Sequence, residues 1–370
     1  MHFLLIPYAL LSLSFVVHFL ERRDAYARSG LVLTAGITTT LIFLALLLRP
    51  VIGDSWRYYQ YFLVLRNMEL QDAFNYQSES DPLYVLLNWT TGQLGDSQWL
   101  LFGATLLIFI GMFLLSVYKL AGPIGASILL MCYMGYPFFI AYASSGLRQG
   151  LSLVFLLMAF VGFRQQKLTA WAWLLLAPFW HSGAWLGVGV TVLHQAMCQS
   201  VSSGRMRWAL VLGLLFVAVG LSASGLNESI MSALPELISL RQTHEIYFNN
   251  NEEIAYRTGF RADFFLFSLL PLITGWLLRK KAPIFSYMGS GWWLSLYLSL
   301  NIIYHLFSFV PFADRFSAFS WFLLPLVILL QVIETRSRKI LVYFVGTIML
   351  INVIMLQLYT GSFIRMPEGW

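Results

Sequence analysis

Apolar runs about as long as a bilayer is thick recur from one end of the chain to the other. They fall at about residues 2–20, 30–48, 98–118, 122–142, 145–163, 207–225, 262–278, 288–309, 315–334 and 338–359. A hydrocarbon core of about 30 Å takes roughly 20 apolar residues as a helix, whereas a membrane barrel shows alternating segments of about ten. The runs here are continuous, so they read as helices. Charge is correspondingly scarce: 11% of the residues are charged and 59% hydrophobic, with a mean hydropathy of +0.72. An ordinary soluble domain carries about 25% charged residues. The sequence therefore predicts an all-α integral membrane protein, a polytopic helical bundle of about 11–12 transmembrane segments forming a single transmembrane domain over 1–370.

The first run has no basic leader and no small-residue cleavage site, and Arg22 and Arg23 follow it, so it reads as a retained first span. One stretch fits no single span. Residues 169–197 are too long for one untilted helix and short for two, with Pro178 and Gly183 on either side of His181. The positive-inside rule decides how to treat it. If the stretch goes in and returns, as a broken or re-entrant helical hairpin, then Arg22, Arg23, Arg28, Lys119, Arg164, Lys167, Arg205, Arg207, Arg279 to Lys281, Arg336, Arg338 and Lys339 all fall on the cytoplasmic side. Both termini are then outside, as are two long polar loops at about 49–97 and 227–261. The first of these loops contains, after Pro82, a short amphipathic helix of the kind that lies at an interface.

The formal net charge of +6 does not point to nucleic acid, because the basic residues come as short clusters at span ends instead of one stripe. Cys132 and Cys198 show neither CxxC nor His spacing and read as packing residues. The sequence contains no Walker A motif, HExxH, GxSxG, DxD or EF-hand loop. ATP-driven transport and metal-dependent hydrolysis thus find no support, and neither a metal nor a cofactor is expected.

Residues 143–149, Ala-Ser-Ser-Gly-Leu-Arg-Gln, carry the sharpest signal. An arginine near hydrocarbon costs about 2.5–3.5 kcal/mol on insertion scales unless it faces water or a partner. Arg148 either snorkels to the headgroups or holds an anion, for which its planar fork suits phosphate oxygens. Gln149 follows it, and Ser144, Ser145 and Gly146 before it would let an anion approach a helix N-terminus. His181, at the helix break, is either a packed residue or an imidazole able to take a proton from a hydroxyl near neutral pH. Arg315, next to Asp314, is either half of a surface ion pair or a second anion clamp. Asp54 and Asp81, in the first outer loop, are solvated carboxylates, orienters of a sugar hydroxyl, or bases. Trp56, Tyr58, Tyr59 and Tyr84 supply either interfacial anchors or flat faces for sugar rings. Arg241, His244, Arg257 and Arg261 make the second outer loop a candidate lid.

The chain resembles the EpsG-like group of Wzy-type bacterial polysaccharide polymerases. The resemblance rests on Asp54-x-x-x-Tyr58, Asp81-Pro82-Leu83-Tyr84-x-x-Leu87-Asn88, Leu147-Arg148-Gln149, Phe179-Trp180-His181-Ser182-Gly183-Ala184 and Arg315, in that order. The group often has Asn where Ser145 stands, Glu where Asp81 stands, and Phe where Trp180 stands; these changes keep polarity or aromaticity.

The resemblance implies a GT-C-like fold in the bacterial inner membrane, with an active site facing the periplasm. It implies glycosyl transfer between undecaprenyl-pyrophosphate-linked oligosaccharides, the growing chain passing to a hydroxyl of the incoming repeat unit. Arg148, Gln149 and Arg315 would bind the pyrophosphate, and His181, then Asp54 or Asp81, would be the base. The implied partners are the lipid-linked substrates, the bilayer, a chain-length regulator and a flippase, for exopolysaccharide, capsule or O-antigen. Three other readings remain: an O-antigen ligase-type transferase, a transporter or flippase of lipid-linked oligosaccharide, and a scaffold. A transporter would show inverted repeats and midplane polar residues, which the sequence lacks.

Overall fold

The computed structural model describes residues 2–20, 25–76, 81–232, 258–279, 289–310, 313–348 and 350–351. Every regular element among them is helical, as the bilayer requires of a spanning chain that must satisfy its own backbone. Five of these helices are long and apolar enough to cross a membrane: Arg28–Leu47, Gln98–Met134, Leu147–Arg164, Gly204–Ser224 and Asp314–Glu334. The chain is thus an all-α, polytopic, multi-pass membrane protein.

By contact density it divides into two units, Met1–Val188 with Arg338–Trp370, and Gly189–Ser337. The first unit opens with α1 (His2–Leu20) and α2 (Ala25–Leu47). The first long polar loop is mostly helix: α3 (Asp54–Leu65), α4 (Leu70–Tyr76) and α5 (Pro82–Gly92). They close on a small core of Leu65, Ala73 and Val85, flanked by Tyr61, Met68 and Trp89. The Trp89 indole N–H donates to the Met68 carbonyl at 3.0 Å.

Next comes α6 (Gln98–Met134), which breaks at Gly122, where φ is 68° and ψ −176°. Pro123 drives the preceding residue out of the helical region, and glycine alone takes this positive φ without strain. A break thus falls near residue 120, where the boundary between two apolar runs is expected. The expected single helix over 122–142 is not continuous. The chain leaves the helix at Gly135, and Pro137 opens α7 (Pro137–Ser144) after an extended Tyr136. Proline suits a first helical position and forces its predecessor to extend.

α8 (Leu147–Arg164) is the buried centre of this unit, with every position from Gln149 to Gly162 buried. It packs against α6 and against α9 (Thr169–Trp180), whose Ala170, Leu174 and Ala177 face inward at helical spacing. A Cβ on Gly162 would meet the Ala170 Cβ at 2.9 Å, so this glycine sets the close approach of α8 and α9. The outer surface is lipid-like: Leu33 and Leu107 are 66% and 68% exposed.

α9 ends at Trp180, and α10 (Ala184–Ser200) begins after a three-residue break at His181, Ser182 and Gly183. The boundary between the units falls inside α10. The second unit continues through α11 (Gly204–Ser224), α12 (Leu226–Ser232), α13 (Ala262–Ser268), α14 (Leu270–Leu278), α15 (Ser290–Leu306), α16 (Asp314–Trp321) and α17 (Leu324–Glu334). Its buried axis is α15, which packs against α11, α16 and α17. Several of its buried polar side chains pair with one another across helices. The Asn301 amide donates to the hydroxyls of Ser268 and Ser320, and the Trp321 indole donates to Ser268 at 2.8 Å. A further helix, α18, covers 338–348 and belongs to the first unit.

Candidate active site

The site is built where three helix ends of the first unit meet. Asp81 precedes α5, and Pro82 occupies the first helical position. Its carbonyl accepts the N–H groups of Tyr84 and Val85 at 2.9 and 3.0 Å, starting the helix. Its carboxylate makes no capping bond to that helix and is left to bind elsewhere. Arg148 stands in the first turn of α8, after the break at Ser145 and Gly146. Gly150 makes this position attainable, since a Cβ there would lie 2.3 Å from the Tyr142 carbonyl oxygen of α7. His181 ends α9 in an extended conformation, at φ −159° and ψ 115°.

These ends converge on one carboxylate. Asp81 Oδ2 accepts from Arg148 Nη1 at 2.8 Å, and Asp81 Oδ1 accepts from the Ser182 backbone N–H at 2.6 Å. His181 Nδ1 is 3.6 Å from Asp81 Oδ2, just beyond hydrogen-bond length, and has no hydrogen-bond partner among the described residues. Asp81 is only 3% exposed. Burial by itself would raise the Asp81 pKa. The facing His181 imidazole, the Arg148 guanidinium and the Ser182 N–H outweigh it and hold the carboxyl below its ordinary range. Asp81 is therefore a fixed anion.

Beside the cluster is an open cavity of about 120 Å³ lined by Arg57, Tyr58, Tyr61, Asp81, Tyr84, Val85 and Arg148. Two guanidiniums face it against one carboxylate. Arg57 is also 3.7 Å from Asp54, but their side chains are 86% and 47% exposed, and such a pair is screened by water. The Arg148 guanidinium lies over Tyr58, 5.8 Å from the ring centroid. Tyr58 and Tyr84 meet edge to face at 5.7 Å. The Tyr84 hydroxyl is buried with no hydrogen-bond partner among the described residues, and burial pushes its pKa far up, so it stays protonated. Chemically this is a pocket for an anion carried on an apolar or sugar-like body.

The residues singled out in sequence divide as follows. Arg148, Asp81, His181, Tyr58 and Tyr84 come together, with His181 next to Asp81 at the edge of the cluster and not among the residues that line the cavity. Asp54 begins α3 and faces Arg57 instead of the cavity. Trp56 and Tyr59 pair with each other at 6.0 Å off the cavity wall, and the Tyr59 hydroxyl donates to the Asp96 carbonyl. Gln149 is buried and does not line the cavity. Arg315 is exposed in the first turn of α16, in the second unit. Arg261, also in the second unit, binds Asp263 and lies 3.5 Å from the Phe264 centroid. Arg241, His244 and Arg257 lie outside the described residues.

The cavity also uses Arg57 and Tyr61, to which no role was assigned from sequence. Their signal was the helical spacing 57, 58, 61, which places them on one face of α3.

A guanidinium, a carboxylate and an imidazole gathered at three helix ends give this multi-pass membrane protein a polar site. Comparison with protein families narrows the class: the chain belongs to the EpsG family, whose model matches residues 30–365. It is thereby a membrane protein of the polysaccharide-polymerase type, a glycosyltransferase-like class. No curated protein and no solved structure matches it.

Proposed function

We propose that this protein is a polysaccharide polymerase of the bacterial inner membrane, joining undecaprenyl-pyrophosphate-linked oligosaccharide repeat units on the periplasmic face. The observation that carries the reading is the Arg148–Asp81–His181 cluster beside an aromatic-walled cavity in which two guanidiniums face one carboxylate. Arg148 and Arg57 take the pyrophosphate of the growing chain, and Tyr58, Tyr61 and Tyr84 flank the first sugar. The acceptor hydroxyl oxygen attacks the anomeric carbon as the bond to the phosphate oxygen breaks, and the electron pair leaves with the pyrophosphate. The guanidiniums stabilise the charge that develops there, the contribution a metal makes in other transferases. The hydroxyl proton passes to the Nε2 of His181. A single displacement of this kind inverts the anomeric configuration.

In this scheme Asp81 plays a supporting part. Its carboxyl is held below the usual range and both oxygens are engaged, so it is a poor base. Arg148 and His181 face the same oxygen at unequal distance. When a pyrophosphate draws Arg148 away, Oδ2 becomes free for the Nδ1–H of His181 and fixes the orientation of the imidazole. The base is then armed only with donor in place, which protects the activated sugar from water.

The test is polymerisation in a strain lacking its own polymerase, with wild-type protein and Arg148→Ala matched for membrane level. Loss of the ladder while single repeat units still reach the outer surface supports the reading. An unchanged ladder removes Arg148 from the mechanism, and failure of single units to appear outside favours a flippase.

A further inference from the structure

Arg49 follows the end of α2, and among the described residues no carboxylate pairs with it. Its contacts are with neutral groups on four elements. Nη1 donates to the Leu46 carbonyl of α2 at 2.8 Å, and Nη2 donates to the hydroxyl of Ser55 in α3 at 3.1 Å and to the carbonyl of Ser144, the last residue of α7. The guanidinium carbon lies 5.1 Å from the ring centroid of Phe102 on α6. Ser55, 4% exposed, donates its own hydroxyl to the same Ser144 carbonyl at 2.9 Å.

That carbonyl is an orphan by construction. The chain leaves the helix at Ser145, where the N–H groups of Ser145 and Gly146 both turn back to the Ala141 carbonyl. Ser144 is buried, so its oxygen cannot turn to water, and an unmet buried carbonyl is costly. Desolvating the arginine is costly as well, and burial pushes its guanidinium down to about 10. A planar fork that meets both ends of this problem is better suited than an ammonium, which offers its donors from a single point.

We propose that Arg49 is a positioning residue. With Ser55 it fixes the α7–α8 turn at the Ser144 carbonyl and so sets where Arg148, four residues on, projects into the cavity. This inference rests on the reading of Arg148 as an anion-binding residue. The fixed point also serves Asp81, because the guanidinium that pairs with that carboxylate stands on the same first turn of α8. Arg49 touches neither the cavity nor the cluster itself. It acts only through the backbone between 144 and 148.

Two measurements on the full chain in lipid nanodiscs test the inference, with Arg49→Lys as the main variant and Ser55→Ala as a milder one in case the first folds poorly. The first is amide hydrogen exchange, which needs no ligand. Arg49→Lys speeds exchange over 145–150 while 169–180 and the melting midpoint stay as in the wild type. Ser55→Ala gives a smaller change in the same place. The second is binding of inorganic pyrophosphate. Arg49→Lys weakens it about tenfold or more, since small misplacement of a binding group is expensive. In an Arg148→Ala background the same change costs nothing further.

Unchanged exchange over 145–150 overturns the clamp. Equal losses with and without Arg148 overturn the link to that residue. Wild-type protein that ignores pyrophosphate while Arg49→Lys still loosens 145–150 refutes the anion reading and leaves the clamp standing.

Discussion

Arg148 reaches across 67 positions of sequence to place Nη1 2.8 Å from Asp81 Oδ2, joining the start of α8 to the start of α5. Asp81 is nearly fully buried and Arg148 is 29% exposed at its side chain. Removing either partner of such a pair strands the other in a poorly solvated place. Asp81→Asn and Arg148→Ala are therefore each expected to lower stability, and the double variant to be less damaged than their sum. A double-mutant cycle on unfolding in detergent should give a coupling of about 1–3 kcal/mol. Additive losses would mean that the two side chains do not interact.

The same carboxylate sets a pH dependence. The folded-state pKa of Asp81 lies below its ordinary value of 3.8, so the unfolded chain binds this proton more readily than the folded one. The contribution to stability is complete above the ordinary value and fades as pH falls through the folded one. Melting midpoints of the wild type should thus drop more steeply below about pH 4 than those of Asp81→Asn. Parallel curves would show that Asp81 is not held as described.

How much of this was legible in the sequence depends on the range of each signal. The break at His181 could be read because Pro178 and Gly183 bracket it within a run of the wrong length, and α5 because Asp81-Pro82 is a helix start. The kink at Gly135 was hidden in a continuous apolar run, where Pro137 alone marked it. Arg148, Asp81 and His181 could each be chosen as unusual, and the topology put them on one face. Their pairing could not be read, because it joins three helix ends through tertiary packing, and no local period encodes that. Arg49 passed unnoticed since an arginine at a span end looks like an anchor, and its partners are backbone and hydroxyl groups that leave no pattern. Trp56 and Tyr59 looked like Tyr58 by type, and helical spacing separates them from the cavity.

Gly150 offers a test of how closely α8 must start against α7. A methyl there would lie 2.3 Å from the Tyr142 oxygen, a backbone atom that cannot swing aside. Gly150→Ala is expected to cost about 1–3 kcal/mol by overpacking and to shift the turn that carries Arg148. Gly111→Ala is the matched control, as a Cβ there meets nothing within 4 Å. It should be neutral or slightly stabilising, since alanine is the better helix former. Equal behaviour of the two variants in melting and in polymerisation would refute the close approach.

His181 stands apart from the ion pair at 3.6 Å. If it accepts the hydroxyl proton, His181→Gln keeps a polar side chain at the break but cannot take up that proton. Turnover should fall about 10²–10⁴-fold while binding of pyrophosphate persists. A variant that keeps turnover would pass the base role to another group.

Tyr84 separates a structural role from a functional one. Its hydroxyl is buried against the cavity with no hydrogen-bond partner among the described residues, which is a cost to the folded protein. Tyr84→Phe removes that cost and leaves the edge-to-face contact with Tyr58, so the melting midpoint should hold or rise. A hydroxyl kept there at a loss in stability has a use when substrate fills the cavity, either as donor to a phosphate oxygen or as partner to a sugar. Polymerisation by Tyr84→Phe should accordingly fall about tenfold, in line with one hydrogen bond to a charged group, while Tyr59→Phe, off the cavity wall, leaves it unchanged. A Tyr84→Phe variant that is more stable and fully active would show that the hydroxyl meets no substrate group, and would confine recognition to the guanidiniums.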